Sequence, residues 1–230
     1  MKYLLIFIIL FATSCTSHHE ILGTTYGYDS DKYDLSIIRD IKVSDLQIRE
    51  VKMKDSQCLS GYSHHIELNG PIGPDSSSII KMILKNINKN HKCVGKDDRK
   101  VVTSIFMNSG GGLLIDGLKL GNIFRDAGTQ TQITGNQTCS SACAFAFVGG
   151  TYRKMDDNAK LMFHAPYNLG TYSGIQCSSK SQMQDLKTYF KRMLGSSTGN
   201  LLFDRTMSYC SRSNGWIINK DAANIYNILK

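Results

Sequence analysis

At 230 residues the chain is long enough for one domain with a real hydrophobic core. A composition of 41% hydrophobic and 20% charged residues, with 3 prolines and no low-complexity tract, excludes disordered and collagen-like proteins. Much of the net charge of +8 lies in the stretch KMILKNINKNHKCVGKDDRK, whose lysine stripe lacks the arginine or aromatic interleaving of a nucleic-acid surface, which argues against a nucleic-acid partner.

The chain opens on MKYLLIFIILFATSC, one basic residue followed by an apolar run and then small residues. That order predicts a secretory signal peptide over residues 1–14, too short to span a bilayer as a helix. Ala12-Thr13-Ser14-Cys15 resembles a bacterial lipoprotein processing site, in which Cys15 would carry the lipid and tether the chain to a membrane. Ala12 stands where that pattern prefers leucine, and Ala12 and Ser14 also suit ordinary signal peptidase, so lipidation and simple secretion both stay open. Either way the expected location is the bacterial cell envelope, periplasmic or membrane-anchored. Of 7 cysteines, removing Cys15 leaves an even number, which an oxidising compartment would pair into disulfides.

Residues 15–60 are polar and weakly patterned, and predict an irregular N-terminal arm with one or two short strands. Residues 61–230 are expected to form the main domain. HIELNGPIGPDSSSIIKMILKNI gives a strand, a Gly-Pro turn, a capping run at Asp75–Ser78 and an apolar-periodic helix. On that helix Lys81, Lys85 and Lys89 share one face, which reads as a solvated surface. A strand over Val101–Met107 then leads through Asn108-Ser109-Gly110-Gly111-Gly112 into a second helix, and TQTQITGNQTCSSACAFAFVGG repeats the unit. AKLMFHAPYN is a short strand ending at His164, a longer helix is expected over Ser179–Gly195, and a last one from Lys220. Strands alternating with helices at this spacing imply a mostly parallel sheet, whose strand ends carry the chemistry.

Three such ends hold candidates. The glycine run can bring backbone N–H groups close to a ligand, although it lacks the spacing and lysine of a nucleotide loop. Ser141 sits where a strand meets a helix, the place of a nucleophile elbow, but also of an ordinary N-cap. His164 ends the next strand. A serine, a histidine and backbone donors on neighbouring strand ends are what acyl transfer needs. Cys139 and Cys143 bracket Ser141, yet as a metal half-site they lack two further ligands nearby, so neither metal nor cofactor is expected.

HIELNGPI, FMNSGGGLLIDGLKL, CSSACAFAFVGG and LMFHAP together resemble the proteolytic subunit of Clp protease and the wider ClpP/crotonase fold, which includes signal peptide peptidase A. The resemblance runs from about residue 65 to the C-terminus. It implies an α/β ClpP/crotonase-type spiral of βαβ units with a mostly parallel sheet and a helical arm near residues 179–195. It implies Ser141 as nucleophile, His164 as base, and the N–H groups of Gly112 and Ala142 as the oxyanion hole. Gly110 replaces the family's proline. Asn214 falls where the family has its aspartate, with Asp204 as the candidate if the alignment slips.

A serine peptidase of the envelope acting on peptides or unfolded protein segments is therefore expected, and oligomers are compatible with the resemblance. No ATPase partner is expected outside the cytoplasm. Asn214 keeps a second reading open, a catalytically degenerate binding protein on the same fold. An acyl-CoA enzyme of the crotonase branch is disfavoured for an exported chain. The spiral also suggests a Cys58–Cys93 bridge and two bridges among Cys139, Cys143, Cys177 and Cys210. Of these, one joining Cys177 or Cys210 to the serine loop is expected, and a direct Cys139–Cys143 bond is the pairing least favoured.

Overall fold

A computed structural model describes residues 35–96, 102–170, 174–211 and 214–230. The signal segment, Cys15 and the beginning of the arm lie outside the described residues. Where the sequence suggests short strands in an irregular arm, the chain forms two long ones, β1 (Leu35–Val43) and β2 (Leu46–Lys54), paired antiparallel. Leu46, Ile48 and Val51 supply the buried face of β2. The alternation is hard to read because charged residues interrupt it. Those charges pair across the two strands, Arg49 Nε with Asp40 at 3.1 Å and Arg39 Nε with Glu50 at 3.0 Å.

Next come β3 (Tyr62–Asn69), β4 (Ser104–Asn108), β5 (Gln130–Ile133) and β7 (Tyr152–Met155). With β1 and β2 they form one sheet in the order β1-β2-β3-β4-β5-β7, parallel from β3 onward. A second sheet, in the order β11-β8-β6, is made by β6 (Thr138–Ser140), β8 (Lys160–Phe163) and β11 (Trp216–Ile218). There β6 and β8 run parallel, and β11 runs antiparallel to β8. The hairpin β9 (Tyr167–Gly170) and β10 (Gly174–Cys177) stands apart from both.

Helices connect the strands. On α1 (Ser76–Asn90) the buried residues Ile80, Ile83, Leu84 and Ile87 follow helical spacing, while Lys81, Lys85 and Lys89 are exposed as expected. The next helix, α2 (Leu114–Ala127), ends at Gly128, whose φ of 66° forms a left-handed cap. Short α3 (Ala142–Phe147) is wholly buried. It lies against α2 because Gly117 and Gly121 present no side chain: a Cβ on Gly117 would come within 2.9 Å of Ala142 Cβ. Tyr189 donates its hydroxyl to the Phe145 carbonyl at 2.7 Å and so anchors α3 from the other side.

The single helix expected over 179–195 is shorter and is followed by another. It begins at Gln184 as α4 (Gln184–Leu194), and after Gly195 the chain continues as α5 (Ser196–Met207). Residues 196–207 look polar in sequence, but Leu202 and Phe203 bury themselves in the core. A last helix, α6 (Lys220–Ile225), is capped by the Asn219 side chain, which accepts from Ala222 N at 3.0 Å.

Three disulfides join Cys58 to Cys93, Cys139 to Cys143 and Cys177 to Cys210. The first is as expected. The other two correct the expectation of a bridge from the late segment to the serine loop. Cys139 lies at the middle of β6 and Cys143 in the first turn of α3, and the chain reverses between them at Ser141. That reversal brings the two Cα atoms to 5.2 Å, inside the range a disulfide needs, without bending the helix.

Candidate active site

The site grows from the junction of the two sheets. Beyond β4, Ser109 bridges to Cys139 of β6: its N–H donates to the Thr138 carbonyl at 3.1 Å, and its carbonyl accepts from Ser140 N at 2.9 Å. The glycine loop thus starts beside the strand that delivers the serine. Its far side is strapped to residue 72, since Ile72 N donates to the Gly111 carbonyl at 2.7 Å and Leu113 N to the Ile72 carbonyl at 2.9 Å. Between these straps the Gly112 N–H has no hydrogen-bond partner among the described residues.

Glycine is required at Gly111. Its φ is 104°, and a Cβ there would stand 2.7 Å from both Ser141 Cβ and the Ser140 carbonyl oxygen. That close approach packs the loop directly against Ser141.

Ser141 has φ 54° and ψ −122°, a conformation that side-chain-bearing residues rarely adopt. An ordinary N-cap serine has extended backbone and a side chain that accepts from the following turn. Ser141 has neither, for no side-chain capping bond forms. Its backbone is fixed instead, with N–H donating to the Met162 carbonyl at 2.8 Å and its carbonyl accepting from Phe145 N at 3.0 Å. The result is a sharp strand-to-helix turn that frees the hydroxyl. The N–H of Ala142, at the helix start, has no partner among the described residues.

His164 follows β8 and is buried. Its Nδ1 lies 2.9 Å from the Ala165 carbonyl oxygen. A carbonyl only accepts, so Nδ1 carries the proton and Nε2 is left with its lone pair. Tyr167 packs on the ring at 5.5 Å between centroids. Segment 164–166 is held from behind by Ala165 N donating to the Tyr209 carbonyl, Ser178 N donating to the Pro166 carbonyl, and the Cys177–Cys210 bond.

Ser141, His164 and Gly110–Gly112 line one cleft of about 970 Å³. Its other walls include Phe145, Tyr167, Leu113 and the acidic residue Asp116. No hydrogen bond joins Ser141 Oγ to His164 among the described residues; such bonds are commonly long before substrate enters.

Asn214 stands elsewhere. It enters β11, whose Trp216 pairs with Phe163 beside the histidine, but it is exposed and outside the cleft lining, with its N–H donated to Ser211 Oγ at 3.0 Å. Among the described residues nothing links its side chain to His164. Asp204 is exposed on α5 and pairs with Lys180 at 2.6 Å, a bond that lowers its pKa. Sequence reasoning missed two contributors: the Ala165 carbonyl, invisible to any side-chain pattern, and Asp116, which looks like an ordinary acidic residue in a helix's first turn.

No protein-family profile matches the chain, and no curated protein matches it in sequence. Among solved structures it resembles a serine mutant of a membrane-bound stomatin-specific protease, with a TM-score of 0.56 and 9% identity over 71% of this chain and 75% of that one. It also resembles ClpP1 from Listeria monocytogenes, with a TM-score of 0.51 and 15% identity over 72% of this chain and 88% of that one. At such identities the likeness is one of fold, and it agrees with the mainly parallel sheet flanked by helices described above: the chain has a ClpP-like fold.

Proposed function

We propose that this protein is an exported serine hydrolase, a peptidase that cleaves peptides or unfolded protein segments without cofactor or ATPase. The observation that carries the reading is the backbone of Ser141, held at φ 54° and ψ −122° with its side chain on the cleft. In this reading Ser141 Oγ attacks the scissile carbonyl and His164 Nε2 takes its proton. The N–H groups of Gly112 and Ala142 receive the developing oxyanion. The tetrahedral intermediate then collapses, the proton passes from His164 to the leaving amine, and water repeats the sequence on the acyl-serine.

His164 is held at Nδ1 by the Ala165 carbonyl, a dipole in place of a carboxylate. Asn214, the residue at the family's aspartate position, would reach the ring only by leaving its exposed place. A neutral carbonyl keeps the tautomer but stabilises the imidazolium less than a carboxylate would, so slow turnover is expected. Labelling with a fluorophosphonate probe tests the assignment: wild type should label and Ser141→Ala should not. Undiminished labelling of Ser141→Ala would sink it.

The three disulfides fit an oxidising compartment, and no described helix is long and apolar enough to cross a membrane. Together with the sequence of residues 1–15 the disulfides support export to the bacterial envelope, with lipidation at Cys15 as the tether. The mass of the mature N-terminal peptide distinguishes a lipidated Cys15 from simple cleavage. The missing link between Asn214 and His164 favours one second reading, a binding protein on a degenerate peptidase fold, which would retain peptide at the cleft without turning it over.

A further inference from the structure

The cleft contains one acidic side chain that the proposed chemistry does not use. Asp116 lies in the first turn of α2, 8% exposed, and borders the cleft that also holds Ser141 and His164. Among the described residues no hydrogen bond or ion pair engages its carboxylate. The nearest cation on its own helix, Lys119, is exposed and makes no ion pair with it. Among the described residues no lysine or arginine lines the cleft. The residue as a whole is mostly covered, but its oxygens are not among the sealed, unpartnered polar atoms of the interior, so an acceptor stays open for a cation or a donor that enters the cleft.

Its position relative to the chemistry is set by its neighbour. Gly117 packs on Ala142, close enough that a Cβ there would meet the Ala142 carbonyl oxygen at 2.5 Å. Asp116 therefore immediately precedes, on α2, the glycine that packs on the residue after the nucleophile, and it lines the same cleft as Ser141. A cation reaching it belongs to a substrate side chain near the scissile bond. The remaining walls suit the stem of such a side chain: Leu113, Phe145 and Tyr167 are apolar or aromatic. A lysine or arginine stem packs on such surfaces, and its charged end is attracted to an aromatic face.

The rest of the protein sharpens the selection. With a net charge of +8 the surface as a whole repels cationic peptides, so a preference for them would have to come from a local negative site rather than from steering by net charge.

We propose that Asp116 is a specificity-determining residue that selects substrates bearing a lysine or arginine side chain beside the cleaved bond. The proposal rests on the peptidase reading of the cleft, and its test is a binding measurement that needs no turnover. The disulfide-bonded Ser141→Ala protein is titrated calorimetrically with acetylated, amidated alanine hexapeptides carrying one Lys, Arg, Gln or Glu at each position in turn.

At one position Lys and Arg should bind at least about tenfold more tightly than Gln, and Glu more weakly. Adding Asp116→Asn should make Lys and Gln equal, and Asp116→Lys should turn the preference toward Glu. Asp116→Glu, which keeps the charge, should keep the preference and guards against a folding defect in the neutral variant. Equal affinities in the parent, a lysine preference that survives in folded Asp116→Asn, or no binding by any peptide would each overturn the proposal. A protein that fails to label with fluorophosphonate but shows the Asp116-dependent preference would sink the hydrolase reading alone.

Discussion

Replacing Ser141 by glycine should stabilise the fold while abolishing labelling, and comparison with Ser141→Ala isolates the reason. At φ 54° and ψ −122° a residue with a Cβ is strained by about 1–3 kcal/mol, and alanine retains that strain. Glycine relieves it but loses more backbone entropy on folding, about 0.5–1 kcal/mol. The difference leaves Ser141→Gly about 0.5–2 kcal/mol more stable than Ser141→Ala. Alanine itself should be within about 0.5 kcal/mol of wild type, since the hydroxyl makes no hydrogen bond among the described residues. For a domain near this size, 1 kcal/mol corresponds to about 2–4 °C in Tm, so calorimetry should place Ser141→Gly about 1–8 °C above Ser141→Ala. Both must be measured with the disulfides intact. If glycine melts at or below alanine, Ser141 stores no backbone strain and the elbow argument fails.

Gly111→Ala should abolish labelling and lower stability by about 3 kcal/mol or more, because its Cβ meets the Ser140 carbonyl oxygen and Ser141 Cβ at a φ alanine resists; wild-type labelling in this variant would refute the packing. Replacing both Cys139 and Cys143 by alanine should reduce stability by about 2 kcal/mol on loop-closure grounds and slow labelling further than that loss explains; an unchanged rate would show that the bond does not hold the turn. Two groups on β3, buried Glu67 and half-buried His65, should show opposite pH dependence. Burial pushes the Glu67 carboxyl up to about 7, with Arg49 opposing, so the folded state keeps a proton the unfolded chain gives up, and this term loses stability as pH rises from about 4.5 to 7. Burial pulls His65 down to about 4, against the pull of Asp55, so its term is fully present above about 6.5 and is lost as pH falls to 4. Each is worth up to about 3 kcal/mol: relative to wild type, Glu67→Gln should gain stability at pH 8 and His65→Gln should gain it at pH 4, and denaturant titrations showing no such gain would refute the assignment.

The parallel part of the fold was legible because its units repeat one pattern, a strand of apolar residues, a glycine turn and a helix with a buried stripe. Ile80, Ile83, Leu84 and Ile87 are buried at the spacing their positions predict. The antiparallel edge was not legible. In β1 and β2, charges occupy positions that alternation assigns to apolar groups, and they are accommodated by partners on the adjacent strand that no local pattern reveals. Glu50 is fully buried yet has Arg39 and His64 beside it, His64 Nδ1 at 2.9 Å. Likewise α5 was hidden, because Leu202 and Phe203 are the large apolar residues in a stretch that otherwise reads as loop.

The site divides along the same line. Residue type and order were enough to nominate Ser141, His164 and the glycine run, since each stands at a strand end and the parallel topology puts such ends together. What sequence could not supply was backbone geometry. The positive φ of Ser141 both exposes its hydroxyl and folds Cys143 back toward Cys139, so one local reversal accounts for the elbow and for the disulfide that the sequence reading least favoured. The same blindness applies to His164. A search for its partner looks for carboxylates and amides, finds Asn214 and Asp204, and passes over the carbonyl of the next residue, 2.9 Å from Nδ1. With Nδ1 so occupied the imidazole is already in the tautomer a general base requires. What a carboxylate would add is stabilisation of the imidazolium formed during attack, and a neutral carbonyl supplies only part of that. In the proposed mechanism the base is thus well oriented but weakly supported, which slows both the attack of Ser141 and the later attack of water, so stoichiometric labelling, which needs only the first, is a more sensitive readout than turnover.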